Sequence, residues 1–520
     1  MIRRDDSRAS HAATATMDAP PVRPGLGPAV WRVAAVVILG AIMSFLDATI
    51  VNVALRSLSL NLHTSLDTIQ WVVTAYLLSL AAVIPVTGWA AKRFTARRLY
   101  LIAVVVFTVG SVLCGLAQSA GELIAFRALQ GIGGGMIMPV GQMILLKKAG
   151  PRHMARVMSA IGVPIVLAPF IGPTIGGLLL DTVGWRSIFF VNLPIGLVAL
   201  IAAARLLPRD HAEEAGPLDV PGLALVAVGL VGVTYGLAEV GTSGHVGSTR
   251  VLLPLVAGLL LLAAFVLRAV RIERPLLDIR LYRDTVFSAA ALTTFCLGAA
   301  MYGGMILMPL YYQTVRHQDA IATGLLLAPA GLGAASANWL SGRATERLGG
   351  GLTALLGGLI SILATLPFVL IGADTSYVAL GAAMVVRGFG LGLSMMPALT
   401  AAYRVLDPAQ INDASPQLSV LQRVGGSIGT AIIIVALQNH LDRAGSRSPA
   451  QAAAFGAAFW WVLAVAAVAT LPTIVLAVSE RRARATRTAA EASQPTAPSS
   501  APVGCRAESA ADASAVGRTG

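Results

Sequence analysis

Asp47 and Arg127 are charged residues set inside long apolar runs, and they are the pair in this chain best placed to do chemistry. Asp47 lies in the run 33–54 and Arg127 in 122–146. A charged group within hydrocarbon costs roughly 2.5–3.5 kcal/mol on insertion scales, and such groups are functional by default. Counted along a helix at about 1.5 Å per residue, Asp47 falls in the outer half of its run. Arg127 enters about five residues into a run that travels the opposite way, so the two depths match. An acid and a guanidinium facing each other would form a proton-sensitive pair. Protonating the acid releases the arginine, and a bound solute could exploit that release. A purely structural ion pair, or an acid wetted near a mouth, is the alternative reading. Asp47 is therefore a candidate proton carrier, with Arg127 as its partner.

Arg387 sits nearer the middle of the run 377–402, and the run 286–312 offers it no acid. Gln417, Gln422 and Arg423 place a second polar cluster in 414–437. These four residues could line a cavity or hydrogen-bond between helices, since polar groups serve both purposes in membranes. Glu239 closes the run 221–240 and reads as a wet edge residue. Cys114, Cys296 and Cys505 have neither disulfide nor metal-ligand spacing. The Gly-rich stretch from Gly131 to Gly135 lacks the Lys-Ser/Thr of a phosphate loop. No nucleophile–base constellation is present. The expectation is no enzyme, no cofactor and no metal.

The elements that must position these residues are fourteen apolar runs, each near the length of about 20 residues that crosses about 30 Å of hydrocarbon. With 56% hydrophobic and 12% charged residues, this much apolar length cannot be hidden in one soluble core. The formal charge of +13 would raise nucleic acid as a partner. Position argues against it. Lys and Arg crowd into the tail and alternate loops, among them Lys92/Arg93/Arg97/Arg98, Lys147/Lys148/Arg152/Arg156 and Arg268/Arg271/Arg274. That asymmetry orients a membrane protein with both termini cytoplasmic. Residues 1–32 read as a disordered cytoplasmic segment and 479–520 as a disordered cytoplasmic tail rich in Ala, Ser, Thr and Pro.

An internal repeat organises the spans. Gly88-Trp-Ala-Ala-Lys92-Arg93 closes the second run, and Gly342-Arg-Ala-Thr-Glu346-Arg347 closes the tenth. Gly172-Pro173-Thr-Ile-Gly176 is answered by Gly425-Gly426-Ser-Ile-Gly429, and Arg127 by Arg387. Three signals in one order, at offsets of 253–260 residues, imply two homologous six-span bundles. The fold expected is all-α and integral to the membrane: bundles at 33–206 and 286–478 related by a pseudo-two-fold, with two inserted helices in 207–285. Met301 stands about where the offset would place Asp47. Parallel repeats of this kind set a substrate site between the halves.

These motifs resemble the major facilitator superfamily, and specifically its fourteen-span drug:proton antiporter branch, over about residues 33–480. Leu46-Asp47-Ala48-Thr49 is similar to the branch's first-span motif, Gly88 to Arg98 to its loop motif, and Arg127-Ala-Leu-Gln130-Gly131 to its fourth-span motif. Gly172-Pro173-Thr-Ile-Gly176-Gly177 resembles its fifth-span antiporter motif, and Gly184-Trp185-Arg186 through Asn192-Leu193-Pro194 is typical of the branch. The resemblance implies that Gly88, Lys92, Arg93, Arg97, Gly342, Glu346 and Arg347 gate, and that Gly172, Pro173, Gly176 and Gly177 form a hinge between the halves. The loop motif departs from the pattern at Thr95, where Gly is usual, and at Lys92, where many members have Asp. The second copy has the acid, Glu346, and the glycine, Gly349, so either loop could carry the charge latch.

The function expected is a secondary active transporter that exports lipophilic drugs or toxic metabolites in exchange for protons by alternating access. A dedicated exporter or importer of one metabolite is an alternative, and a non-transporting membrane sensor or scaffold a distant one. The partners expected are the lipid bilayer of the cell membrane, a small lipophilic substrate and protons, with a periplasmic adaptor protein as a further candidate and no nucleic acid. Topology gives the first prediction: residues 241–250 and 438–453 are external. A cysteine introduced at Ser446 labels with an impermeant reagent in whole cells, and Cys505 does not. Labelling of Cys505 from outside would overturn the fourteen-span count.

Overall fold

A computed structural model describes residues 27–243, 247–444 and 448–492. Every regular element among them is helical. Thirteen helices among the described residues are long and apolar enough to cross a membrane. In chain order they are span 1 (Pro28–Asn61), span 2 (Leu66–Phe94), span 3 (Ala96–Leu116), span 4 (Ala120–Gly150), span 6 (Ser187–Leu206), span 7 (Val220–Val240), span 8 (Thr249–Arg271), span 9 (Thr285–Thr314), span 10 (Ile321–Leu348), span 11 (Gly350–Val369), span 12 (Tyr377–Arg404), span 13 (Ile411–Arg443) and span 14 (Pro449–Ala483).

Span 5 is the second limb, 151–182, of a helical run Ala120–Thr182 of 63 residues. A straight helix of that length would reach about 95 Å, far beyond one bilayer. Gly150 breaks it with φ 68°, a conformation that glycine adopts without steric cost, and Pro151 follows in the first turn of the new limb. With this second limb the described residues hold fourteen long helical segments, thirteen of them long and apolar enough to cross a membrane.

The helices overrun the apolar runs that predict them. The first begins at Pro28 and ends at Asn61, whereas hydropathy suggests 33–54. The last continues to Ala492, so the start of the expected disordered tail 479–520 is helical. Hydropathy marks where hydrocarbon stops. The backbone hydrogen-bond ladder continues past it, because helical bonding is as favourable in the headgroup layer as below it. The remainder of the segments expected to be disordered, 1–26 and 493–520, falls outside the described residues, as do Ser446 and Cys505. Of the described residues, those up to Glu480 fall in one compact unit and those from Arg481 in a second.

Span 1 packs along the run of spans 4 and 5, and spans 2 and 3 pack on that same run. The second half repeats the scheme, with span 9 on span 13 and span 12 on spans 10 and 11. The turns that end the two loop-motif helices are equivalent in backbone as well as sequence. Thr95 has φ 74° and Gly349 has φ 99°. Thr95 holds this left-handed turn without being glycine, and its side chain caps the next helix by accepting from the Arg98 amide at 3.3 Å.

Spans 7 and 8 pair along a seam of small residues, where a Cβ at Gly232 would meet the Gly258 Cα at 3.1 Å. Span 8 turns its large side chains outward, with Leu253 74% and Leu260 66% exposed, as a lipid-facing helix does. Span 7 touches both halves. Its Tyr235 stacks on Trp71 of span 2 at 5.6 Å, and its Val240 clusters with Ala431 of span 13.

Candidate functional site

Asp47 and Arg127 meet. Arg127 Nη1 donates to Asp47 Oδ2 at 2.6 Å, and neither side chain is exposed at all. Two further donors hold the other carboxylate oxygen: Gln130 Nε2 and Asn192 Nδ2 each reach Asp47 Oδ1 at 2.9 Å. Gln130 also accepts from Arg127 Nη1 at 2.8 Å, and Asn192 is itself set by a hydrogen bond to Ser111 Oγ at 3.0 Å. The guanidinium lies over the Tyr76 ring at 4.2 Å, and its Nε donates to the Val72 carbonyl at 3.2 Å. Arg127 therefore connects spans 1 and 4 to span 2. Its Nη2 is buried without a partner.

Sequence reading finds the ion pair and misses its setting. Gln130 follows Arg127 by one helical turn, a spacing that puts both on one face. Asn192 stands in the Phe-Phe-Val-Asn-Leu-Pro motif of span 6, quoted only as part of a resemblance. Glu239 lines an outer cleft with Asp67 and Arg250, apart from the buried pair. Glu122 accepts from the Gln118 amide at 2.9 Å at the start of span 4, a helix-start role.

The two halves are fastened at one end, the end that carries the basic loops. Lys92 Nζ pairs with Asp413 of span 13 at 2.7 Å, and Arg156 Nε of span 5 pairs with Glu346 at 2.8 Å. Each bond joins a loop-motif residue of one half to a helix of the other: Lys92 and Glu346 hold matching positions in the two loop motifs, with the signs exchanged. Both loops therefore contribute an ion pair, so the choice between them does not arise. Gly88 and Gly342 let the helices approach at the same places. A Cβ at Gly88 would lie 2.5 Å from the Asn412 carbonyl oxygen, and one at Gly342 would lie 3.2 Å from the Arg156 Cα. The other loop arginines do not bridge the halves in this way. Arg97 donates to the Ala204 carbonyl within its own half, while Arg93 and Arg347 are exposed.

The connection between spans 6 and 7 joins this fastening, which nothing in its sequence announces. Glu213 accepts from Lys147 of span 4 at 2.6 Å and from Asn412 of span 13 at 3.1 Å. Asp210 accepts from the Ala96 amide at 2.9 Å. Deeper in, Ser415 donates to the Pro139 carbonyl at 3.1 Å, and Tyr403 donates to Gln142 at 3.4 Å.

The glycines of the expected hinge serve two contacts. Gly172 and Gly176 lie on span 1, where a Cβ at Gly172 would overlap Thr49 Oγ1 and one at Gly176 would lie 3.2 Å from Ile50. Gly177 instead faces Ile321 of span 10, also at 3.2 Å, so it adjoins the opposite half. Pro173 is helical in backbone, and its side chain falls outside the described residues.

Of the four expected cavity residues, the structure brings three to the interior space. Arg387 and Gln422 line a cavity of about 70 Å³ with Met301, Met305, Met384 and Met395. Gln422 and Arg423 line a second of about 40 Å³ between the halves, bordered by Met138 and Gln142 from the first half. Gln417 is held elsewhere, donating to the carbonyls of Asp278 at 3.1 Å and Asp413 at 3.0 Å. Its helix turns it toward the basic end, where it braces the 3₁₀ turn before span 9. Ligand pockets run about 300–1,000 Å³, so a drug-sized molecule requires the halves to part further.

Comparison with known proteins agrees with this architecture. The Major Facilitator Superfamily profile matches residues 37–430. The chain is similar to the multidrug resistance protein B homolog of Mycobacterium tuberculosis, 40% identical over 409 residues, covering 78% of this chain and 76% of that protein. It is 30% identical over 406 residues to the multidrug export protein EmrB of Haemophilus influenzae, covering 76% and 78% of the two. Among solved structures, a double-tryptophan mutant of XylE superposes with a TM-score of 0.61 at 14% identity, over 87% of this chain and 98% of that one, a likeness of fold.

The fastened end supplies the second prediction. Gly88→Val sets a branched side chain against the Asn412 backbone, which cannot swing aside. Transport falls by about tenfold or more, equivalent to about 1.4 kcal/mol against the closed arrangement, while substrate affinity changes little. Proteoliposome flux and equilibrium binding together measure this. Large affinity loss with undiminished flux would place Gly88 in the binding site instead.

Proposed function

The chain belongs to the major facilitator superfamily, and from that premise we propose that it exports lipophilic drugs or toxic metabolites in exchange for protons by alternating access. It is a multi-pass membrane transporter acting on a small substrate, not an enzyme. The multidrug names of its relatives support a lipophilic substrate class, and the methionine-lined cavity supports it independently, since thioethers adapt to varied shapes.

The observation that carries the proton half is the unexposed Asp47–Arg127 pair. A proton reaching Asp47 removes the charge that holds Arg127 Nη1. Arg127 also grips span 2 through the Val72 carbonyl and the Tyr76 ring, and span 2 runs on to Gly88 and Lys92 at the fastened end. Loss of the ionic bond thus acts on the helix that bears one of the two latches. The basic end is read as cytoplasmic, with both termini on that side of the cell membrane, by the distribution of Lys and Arg. On that reading the arrangement described is closed toward the cytoplasm. Substrate is taken up when the Lys92–Asp413 and Arg156–Glu346 pairs part, and released when they re-form.

Asp47→Asn tests the reading. It keeps size and hydrogen bonding and cannot titrate, so uphill uptake into inverted vesicles under a proton gradient is abolished while downhill substrate exchange survives. Removing one partner of a buried ion pair costs about 3–5 kcal/mol, so the thermal midpoint falls as well. The double variant Asp47→Asn/Arg127→Gln removes both charges and recovers most of that stability without recovering uphill transport. An Asp47→Asn protein that still concentrates substrate against its gradient would remove Asp47 as the carrier.

A further inference from the structure

Arg387 presents the same chemistry as Arg127 with the acid taken away. It is 9% exposed, and its Nε is buried with no hydrogen-bond partner. No carboxylate among the described residues pairs with it. The guanidinium lies against Gly304, where a Cβ would overlap its Nη2, so the absence of a side chain at 304 is what gives it room. The repeat places Met301 where the first half has Asp47. Asn338 borders the same cavity, and both polar atoms of its side chain are buried without partners. The adjoining cavity shares Gln422, adds Arg423 and has no acid in its lining.

A guanidinium in an apolar site is costly unless an anion and further hydrogen bonds satisfy it. The surrounding methionines are soft and can move aside for a ligand's apolar body. Arg forms paired, planar hydrogen bonds with carboxylates, which Lys does not reproduce. The first half gives its arginine an acid, Asp47, although Nη2 stays unpartnered. The second half leaves Arg387 Nε and the Asn338 amide unpaired beside the space where substrate would sit.

We propose that Arg387 receives the carboxylate of a lipophilic anionic substrate, with Asn338 as a second polar contact and the methionines around Met301 and Met395 enclosing the apolar portion. This assignment rests on the export reading and adds the substrate class to it: amphiphilic monoanions, with neutral and cationic compounds bound more weakly.

Three dansyl probes of matched length test it: N-dansyl-6-aminohexanoic acid, N-dansylcadaverine and N-dansylhexylamine, which are anionic, cationic and neutral. Fluorescence titration of the purified full-length protein in nanodiscs gives their affinities. The acid binds about tenfold or more tighter than the neutral probe, the scale expected when a buried guanidinium gains a carboxylate. Arg387→Gln erases that ratio while neutral-probe binding persists, which also reports that the variant is folded. Arg387→Lys restores only part of it. If Arg387→Gln does not fold, the wild-type ranking of the three probes still decides. An amine probe bound as tightly as the acid, or an acid-to-neutral ratio unchanged in Arg387→Gln, would overturn the assignment. Gradient-driven movement of the amine alone in proteoliposomes would overturn it too, and would leave export standing. Arg387-dependent binding of the acid with no gradient-driven movement of any probe would uphold the site and overturn export.

Discussion

A charge within hydrocarbon must be paired, hydrated or put to use, and that constraint organises both halves of this transporter. In the first half Arg127 is paired with Asp47 and held by Gln130, the Val72 carbonyl and the Tyr76 ring, with Nη2 left unpartnered, and the whole group is sealed from solvent. In the second half the corresponding Arg387 has a glycine beside it and no acid paired with it among the described residues. The two halves thus treat a buried arginine in two ways. A closed ion pair can respond to a proton, whereas an open cation facing a cavity can respond to a solute. On the proposed function, placing them in different halves would let proton and solute act on one motion without sharing a site.

The fastening at the basic end follows from the same repeat. Lys92–Asp413 and Arg156–Glu346 each tie a loop motif of one half to a helix of the other, with the loop residue basic in one and acidic in the other. Their side chains are 12–27% exposed, so neither pair is locked as tightly as Asp47–Arg127. Partly hydrated pairs contribute modestly and part readily, which suits the proposed latch. The glycines beside them have no such freedom. At Gly88 the opposing atom is a backbone carbonyl, so close approach there is a condition for closure. Span 7 adds a contact that the twelve repeated spans do not have, since it touches span 2 on one side and span 13 on the other.

The sequence makes the spans legible because apolar length is a strong signal. It makes the Asp47–Arg127 pair legible because depth can be counted along a helix. It cannot show Gln130 and Asn192 as donors to Asp47, since amides in spans serve packing and sites alike. The partners across the halves are equally hidden: Lys92 and Asp413 stand 321 residues apart, and no spacing rule links them. Gln417 misleads for the opposite reason. It shares a helix with Gln422 and Arg423, but its position on that helix turns it to the Asp278 carbonyl rather than to the cavity. The break at Gly150 can be read as Gly-Pro in the chain. Its φ, and the separation of spans 4 and 5 that depends on it, come from the structure alone.

The central claim is that substrate and proton compete through Asp47. Proton release on substrate binding measures it directly, using purified protein in weakly buffered, mildly acidic solution with a pH-indicator dye. The account predicts that saturating substrate releases up to about one proton per wild-type protein, as reciprocal coupling between the two ligands requires, and none from Asp47→Asn. Equal release from both proteins, or no release from wild type at saturating substrate, would contradict it.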